Sequence, residues 1–250
     1  MLLAIDSGNT RTKWALFDLA GTLQAHDAAL NLAFNAPPAA WQLATRVIVC
    51  NVAGAARAEH LARLLQPLGV TVQWLTASAA AGGVLNHYRQ PGQLGADRWA
   101  ALVAAWQRLR GSCVVVNAGT AVTIDALQAD AAGGKAVFLG GLIVPGLRLM
   151  RQSLAQGTAG VDAPVGAVLD FPQTTADAVS SGALAAIGGA VLNMHHRLQQ
   201  QAGSAPHCLI SGGDGPALLA WLRAQGMNKH IELEPHLVLH GLRYLVEGAR

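Results

Sequence analysis

The chain has few charged residues, which make up 12% of its 250 residues, and few aromatic residues, at 5%. Its formal net charge is +3, yet lysine and arginine form no run anywhere along it. A nucleic-acid-binding surface normally needs clustered basic residues. The sequence therefore predicts no nucleic-acid partner, whereas an anionic small ligand is compatible with the mild positive charge.

Cysteine is also scarce: Cys50, Cys113 and Cys208 lie far apart, and no Cys-x-x-Cys occurs. Disulfide frameworks and zinc sites need even or closely spaced cysteines, so we expect free, buried thiols. Asp6 interrupts the first apolar run, no basic segment precedes that run, and no run approaches the roughly 18 apolar residues of a membrane helix. These absences predict a cytoplasmic protein without a membrane partner.

Apolar residues are abundant, at 52%, and at this length they can form a sizeable core. Short apolar runs alternate with segments of helical periodicity, which is typical of an α/β fold. Strands are predicted at 2–5, 13–17, after Gly21-Thr22, and in RVIVCNV, VTVQWL, SCVVVN, AVTIDAL, KAVFLGG and HCLIS. Helices are predicted at 38–45, ARAEHLARLLQPLG, GADRWAALVAAWQRLRG (ended by Gly111), 177–201, GPALLAWLRAQG and EPHLVLHGLRYLVEGA.

A strand–bend–strand pattern occurs twice. Asp6-Ser7-Gly8-Asn9-Thr10 follows the first buried strand, and Asn117-Ala118-Gly119-Thr120 occupies the equivalent position in a later one. The repetition predicts two similar lobes, residues 1–111 and 112–250. We expect one polyphosphate to be held between their two bends.

The bends have the chemistry of a phosphate site. Backbone N–H groups of a tight glycine-containing turn bind anions, and Lys13 can place a positive charge near a terminal phosphate. Asp6 would instead hold Mg²⁺, often through water. A plain β-turn explains one such bend equally well, but the second copy favours phosphate binding. Gly212-Gly213-Asp214, between a strand and a helix, is a further candidate contact for the nucleotide.

Other nucleotide motifs are missing. No G-x-x-x-x-G-K-[ST] and no strand-associated G-x-G-x-x-G occurs, which disfavours a Walker A loop and a dinucleotide-binding turn. No G-x-S-x-G surrounds a serine, which disfavours a serine hydrolase.

A second carboxylate stands where a loop enters a helix. Asp97 and Arg98 follow Gly95-Ala96 in the predicted first helical turn. Phosphoryl transfer to an alcohol needs a base or an orienting carboxylate for the attacking hydroxyl. Asp97 could alternatively act only by a favourable interaction with the helix dipole. The positive charge of Arg98, however, is unfavourable at a helix N-terminus. An anionic ligand group would explain this arginine.

These motifs together resemble the type III pantothenate kinases, of the superfamily of acetate and sugar kinases, heat-shock 70 proteins and actin. The resemblance covers nearly the whole chain and rests on DSGNTRTK at 6–13, Tyr88 with Pro91, GADR at 95–98, NAGTAVTID at 117–125, GGLIVPGL at 140–147, TTADAVSSG at 174–182 and SGGDG at 211–215. It implies two similar lobes of the actin-like ATPase (ribonuclease H-like) fold, with a nucleotide cleft between them.

The resemblance implies ATP-dependent phosphorylation of pantothenate to 4'-phosphopantothenate, the first step of coenzyme A biosynthesis, by a homodimer whose substrate site lies near the subunit interface. Asp97 would accept the proton. The ATP contacts implied are Asp6, Ser7, Gly8, Asn9, Thr10, Arg11, Thr12, Lys13 and Thr120. The pantothenate contacts implied are Tyr88, Gly95, Ala96, Asp97, Arg98 and Thr175.

One position departs from the family pattern. The family usually has an aspartate that binds K⁺ or NH₄⁺ where this chain has Asn117. Asparagine keeps a carbonyl oxygen but lacks the charge, so we expect altered or weaker binding of a monovalent cation.

Two other functions remain compatible with the residues. One is a non-catalytic, nucleotide-binding transcriptional accessory protein, which would bind ATP without transferring phosphate. The other is a kinase or phosphatase acting on a different small substrate, such as a sugar or acetate. Residue chemistry alone reaches only phosphoryl transfer between ATP and a hydroxyl group.

Overall fold

The computed structural model describes residues 1–130, 134–158 and 165–248. The chain forms two compact units, Met1–Arg110 with His236–Arg250, and Gly111–Pro235. The strands are β1 (Leu2–Ser7), β2 (Arg11–Phe17), β3 (Leu23–Leu30), β4 (Arg46–Asn51), β5 (Val72–Trp74), β6 (Ala80–Ala81), β7 (Val84–Asn86), β8 (Cys113–Ala118), β9 (Ala121–Ala129), β10 (Ala136–Pro145), β11 (His207–Ser211) and β12 (Ile231–Leu233). The helices are α1 (Ala55–Leu65), α2 (Ala96–Leu109), α3 (Leu147–Gly157), α4 (Thr175–Ala202), α5 (Gly215–Ala224) and α6 (Leu237–Glu247), with short 3₁₀ turns at Asn31–Ala33, Ala39–Leu43, Gln66–Leu68 and Pro91–Gln93.

The first unit is built on a sheet of strand order β3-β2-β1-β4-β5. β1 runs antiparallel to β2 and parallel to β4. Helix α1 covers one face of this sheet, where Leu61 and Leu65 pack with Leu3, Ile5 and Trp41. Successive strand residues face opposite sides, so Asp6 points away from that core.

Helices α2 and α6 pack against each other and contact β4 and β1 respectively. Gly241 of α6 lies directly on the backbone of Ala100 in α2, where a Cβ atom would not fit. This close approach explains why α6 belongs to the first unit. It corrects the expectation that residues 236–250 lie in the second lobe.

The second unit has the strand order β12-β11-β8-β9-β10. β8 is antiparallel to β9 and parallel to β11, just as β1 lies between an antiparallel and a parallel neighbour. Leu184, Ile187 and Val191 of α4 pack with Val114 and Ile124 of the sheet. The predicted repetition of strand, bend and strand is therefore confirmed.

Most predicted elements are present, with several differences. The segment after β10 forms helix α3 where only a turn is predicted, and strand β12 and the β6–β7 hairpin are additional. Residues 38–45 contain only a 3₁₀ turn. Helix α2 ends at Leu109, and the left-handed residue that caps it is Arg110, with φ 50°, rather than Gly111. Its guanidinium lies 5.2 Å from the ring centroid of Trp106, and this contact supports the unusual cap.

Helix α4 has 28 residues and a window of mean hydropathy 1.4, so by length and composition it passes the test for a membrane span. One such helix is weak evidence, because core helices of soluble proteins pass the same test.

Candidate active site

The first bend joins β1 to β2. The Gly8 N–H donates to Arg11 O at 3.0 Å, which closes the turn. A Cβ atom on Gly8 would lie 3.5 Å from Arg11 O, an ordinary contact distance. The described residues therefore leave room for a side chain at this position, and the bend itself does not require glycine.

Asp6 lies two residues before that glycine, directly across the strand pair from Lys13. It is only 9% exposed, and among the described residues no hydrogen bond contributes to its pKa. Burial, with a further contribution from the negative charge of Asp97, raises the pKa of Asp6 to about 7, against the opposing charge of Lys13. A carboxylate with free oxygens beside a lysine suits water-mediated Mg²⁺ binding.

Asp97 is in the first turn of α2, which begins after Gly95. Its Oδ1 accepts a hydrogen bond from the Arg98 backbone N–H at 2.8 Å. A Cβ atom on Gly95 would lie 2.7 Å from this same oxygen, so glycine leaves room for the carboxylate. Burial raises the pKa of Asp97, and the hydrogen bond and charge of Arg98 oppose that rise. Two carboxylates with raised pKa values thus lie within one unit, and the charge of Asp97 contributes to the raised pKa of Asp6.

Arg98 is charged and only 5% exposed. Its Nη1 donates to the Tyr88 hydroxyl at 2.9 Å, and its guanidinium carbon lies 5.7 Å from the centroid of the Tyr88 ring. Asn86 holds the loop that carries Tyr88: its amide donates to Ser78 O and Pro91 O, and it accepts from the Tyr88 N–H at 3.0 Å. Ala96 is buried at the same helix start. The substrate candidates of this unit thus lie together at one helix end.

Three motifs of the second unit meet at its bend. The Gly119 N–H donates to Ala121 O at 3.2 Å, and the Gly146 N–H donates to Thr120 O at 2.9 Å. A Cβ atom on Gly146 would collide with the backbone of Gly119 and Thr120. The Asp214 N–H donates to Ala118 O at 3.1 Å. The predicted Gly-Gly-Asp turn and the GGLIVPGL segment therefore support the Gly119–Thr120 bend.

The remaining two candidates also belong to the second unit. Asn117 is half-buried in β8 and pairs with Ser211 of β11. Thr175 is exposed as the first residue of α4, after Thr174, whose Oγ1 accepts from the Asp177 N–H at 3.2 Å. Residue 117 occupies the same place in its strand as Asp6 does in β1.

The sequence analysis missed the residues that support these candidates. Asn86, and Asn31, whose amide donates to Gly8 O, carry no distinctive spacing, since asparagine in a loop is ordinary. Arg57, which donates to the Thr12 hydroxyl, lies in a segment with an ordinary helical pattern. For Asn86, its position beside the apolar residues of VLNHY is the one sequence signal that suggests a buried amide side chain.

Two units, each with a strand–bend–strand turn of this kind, define an actin-like ATPase fold, and solved structures share it. A proposed Baf family transcriptional activator from Campylobacter jejuni aligns over 98% of this chain and 97% of its own, with TM-score 0.61 and 22% identity. A proposed N-acetylmannosamine kinase from Listeria monocytogenes aligns over 100% and 99%, with TM-score 0.53 and 13% identity. A non-polymerisable ParM mutant aligns over 99% and 98%, with TM-score 0.52 and 10% identity.

The chain belongs to the type III pantothenate kinase family, whose model matches residues 2–197. The type III pantothenate kinase of Methylobacillus flagellatus is 47% identical over 99% of this chain and 98% of its own. That of Thiobacillus denitrificans is 43% identical over 96% of this chain and 94% of its own.

Proposed function

We propose that this protein catalyses the ATP-dependent phosphorylation of pantothenate to 4'-phosphopantothenate, which begins coenzyme A biosynthesis. Relatives named for this activity match nearly the whole chain. The observation that carries the proposal is the helix start of α2, which combines a carboxylate of raised pKa, Asp97, with the buried Arg98 and its half-buried partner Tyr88. The Asp97 carboxylate suits an attacking hydroxyl, and the Arg98 guanidinium suits an anionic substrate.

Asp97 is the proton acceptor. Its raised pKa makes the carboxylate a stronger base than an exposed aspartate, so it can accept the proton of an alcohol as that oxygen attacks phosphorus. The hydrogen bond from the Arg98 backbone orients one carboxylate oxygen, which leaves the other available to the hydroxyl.

The nucleotide residues are those of the two bends: Asp6, Ser7, Gly8, Asn9, Thr10, Arg11, Thr12 and Lys13 in the first unit, and Thr120 in the second. Backbone N–H groups and the Lys13 ammonium bind phosphate oxygens. Mg²⁺ bound through water to Asp6 would offset phosphate charge. The free oxygens of Asp6 fit that role.

Pantothenate is held by Tyr88, Gly95, Ala96, Asp97, Arg98 and Thr175. The Arg98 guanidinium pairs with the pantothenate carboxylate, because a planar donor group matches a carboxylate in two-point hydrogen bonding. Tyr88 keeps that guanidinium in place.

A monovalent cation is proposed near Asn117, with weaker binding than an aspartate would provide. The side-chain carbonyl can still act as a ligand, but it supplies no charge to offset that of K⁺ or NH₄⁺.

We also propose a cytoplasmic homodimer. Large apolar side chains before α4 are exposed, including Phe171 at 88% and Val165 at 76%. These residues lead directly to Thr175, so a second copy covering them would lie near the pantothenate site. Equilibrium sedimentation should show a dimer, and a monomer at micromolar concentration would contradict it.

The decisive experiment measures ADP formation with MgATP, with and without pantothenate, in sodium, potassium and ammonium buffers. Pantothenate-dependent ADP formation is expected, and the buffers report the cation requirement. ADP formation that never responds to pantothenate would contradict the proposal. Stimulation by a sugar or acetate instead would favour a kinase with another substrate, and ATP binding without turnover would favour the transcriptional accessory role.

A further inference from the structure

Behind the first bend lies a polar cluster in which two residues, Arg57 and Asn31, have no role in the proposed mechanism. Arg57, on the first turns of α1, donates from Nη2 to Thr12 Oγ1 at 2.7 Å. Thr12 is fully buried, and its hydroxyl donates to Asn31 Oδ1 at 2.9 Å. The Asn31 amide then donates to Gly8 O at 2.8 Å. A continuous chain of donors thus runs from a guanidinium to the backbone of the bend.

The last bond of this chain sets the direction of one peptide plane. In a trans peptide, the C=O of Gly8 and the N–H of Asn9 point in opposite directions. Because Asn31 draws Gly8 O towards itself, it turns the Asn9 N–H away from the cluster, and Asn9 itself is exposed. The Asn31 N–H also donates to Thr10 O at 2.9 Å, so both sides of the bend are held by one residue.

Arg57 has unusual surroundings for an arginine. Its Nε is buried without a hydrogen-bond partner, and its guanidinium lies 5.6 Å from the centroid of the Phe34 ring. Burial lowers its pKa, and no carboxylate contributes to that pKa. Among the described residues, no acidic group therefore offsets this positive charge behind the bend.

We infer that Arg57 and Asn31 are positioning residues for the nucleotide: they orient the Asn9 N–H toward a phosphate oxygen, and Arg57 adds positive potential behind it. The inference rests on the proposed assignment of the first bend to ATP. In a purely structural role, Arg57 and Asn31 would only hold α1 and the turn after β3 against β1 and β2, and their loss would affect both substrates equally.

The test compares Arg57→Met with Arg63→Met, which removes the same charge from an exposed position of the same helix. Hydrogen bonds to charged groups are worth enough for a change of roughly tenfold. Arg57→Met should therefore raise the MgATP KM and the ADP Kd about tenfold, with the pantothenate KM within about twofold of wild type. Arg57→Lys should recover part of the loss, and Arg63→Met should change neither constant.

An ADP Kd within about twofold of wild type in Arg57→Met would overturn the inference. So would equal losses for both substrates accompanied by a lower Tm. If Arg57→Met does not fold, Asn31→Ser, which removes the donor to Gly8 O, is judged by the same criteria. Failure of the proposed function can be distinguished from failure of this inference. In the first case the wild-type protein would form no ADP in response to pantothenate. ADP binding measured by calorimetry would still test the role of Arg57.

Discussion

At the scale of single residues, Asp6 opposes folding at neutral pH. Its pKa is about 7 in the folded chain, raised from the ordinary 3.8 of an unfolded aspartate by burial and by Asp97. Between these values the folded state holds a proton that the unfolded state has lost, so stability falls as pH rises from about 4 to about 7. An aspartate retained at such a cost is better explained by ligand binding than by folding.

We therefore expect Asp6→Asn to stabilise the protein and to abolish its use of MgATP. Asparagine fills the same space without charge, and three pKa units correspond to at most about 4 kcal/mol. In metal-free buffer, Tm measured by calorimetry should rise more at pH 8 than at pH 5, and hardly at pH 3. A Tm gain independent of pH would show that the pKa of Asp6 is the same in the folded and unfolded states.

Asp97→Asn should leave folding intact and lower kcat by about 10² to 10⁴, the usual contribution of a general base. The KM for MgATP should change little, since Asp97 is assigned to the hydroxyl substrate. Steady-state ADP formation checks this, with Glu59→Gln as a control that removes an exposed carboxylate of the same unit. A kcat within threefold of wild type would remove Asp97 from the chemistry.

At the scale of elements, the start of α2 shows which parts of a helix a sequence can predict. The apolar periodicity of GADRWAALVAAWQRL predicted the helix, and the structure confirms it over Ala96–Leu109. The end was misplaced by one residue, because the side chain of Arg110 packs on Trp106 and makes a left-handed arginine acceptable. Gly111 has no side chain and could not make this contact with Trp106.

Gly95→Ala tests the geometry of this helix start. The new methyl group would lie 2.7 Å from Asp97 Oδ1, so the carboxylate must move and kcat should fall at least tenfold. Gly92→Ala is the matched control, because it introduces a methyl group in the preceding turn with nothing within 4 Å. Equal kcat of the two variants in steady-state assays would show that catalysis does not depend on the space that Gly95 leaves for the Asp97 carboxylate.

At the scale of the whole molecule, the C-terminal helix returns to the first unit. Leu237, Leu239 and Leu242 of α6 are almost fully buried, and Gly241 allows contact with the backbone of α2. Burying each leucine is worth roughly 1.5–3 kcal/mol, and the helix therefore contributes an amount comparable with the stability of a domain.

A chain that ends after Pro235 should consequently lose much of its first unit. Hydrogen exchange followed by mass spectrometry should show faster exchange in β1, β4 and α2, while β8, β9 and α4 remain protected. A chain that ends after Gly248 keeps α6 and serves as the control. Unchanged protection of α2 in the shorter chain would contradict the packing of α6.

The sequence by itself determined the alternation of strands and helices, the repeated bends and the helix start that holds Asp97. These features depend on local periodicity and on small residues at turns, which neighbouring residues largely decide. Only the tertiary structure decided that α6 packs on α2, that Asp97 raises the pKa of Asp6, and that Arg57 and Asn31 hold the bend at Gly8. Those contacts join residues far apart in the chain, and burial and charge act through space.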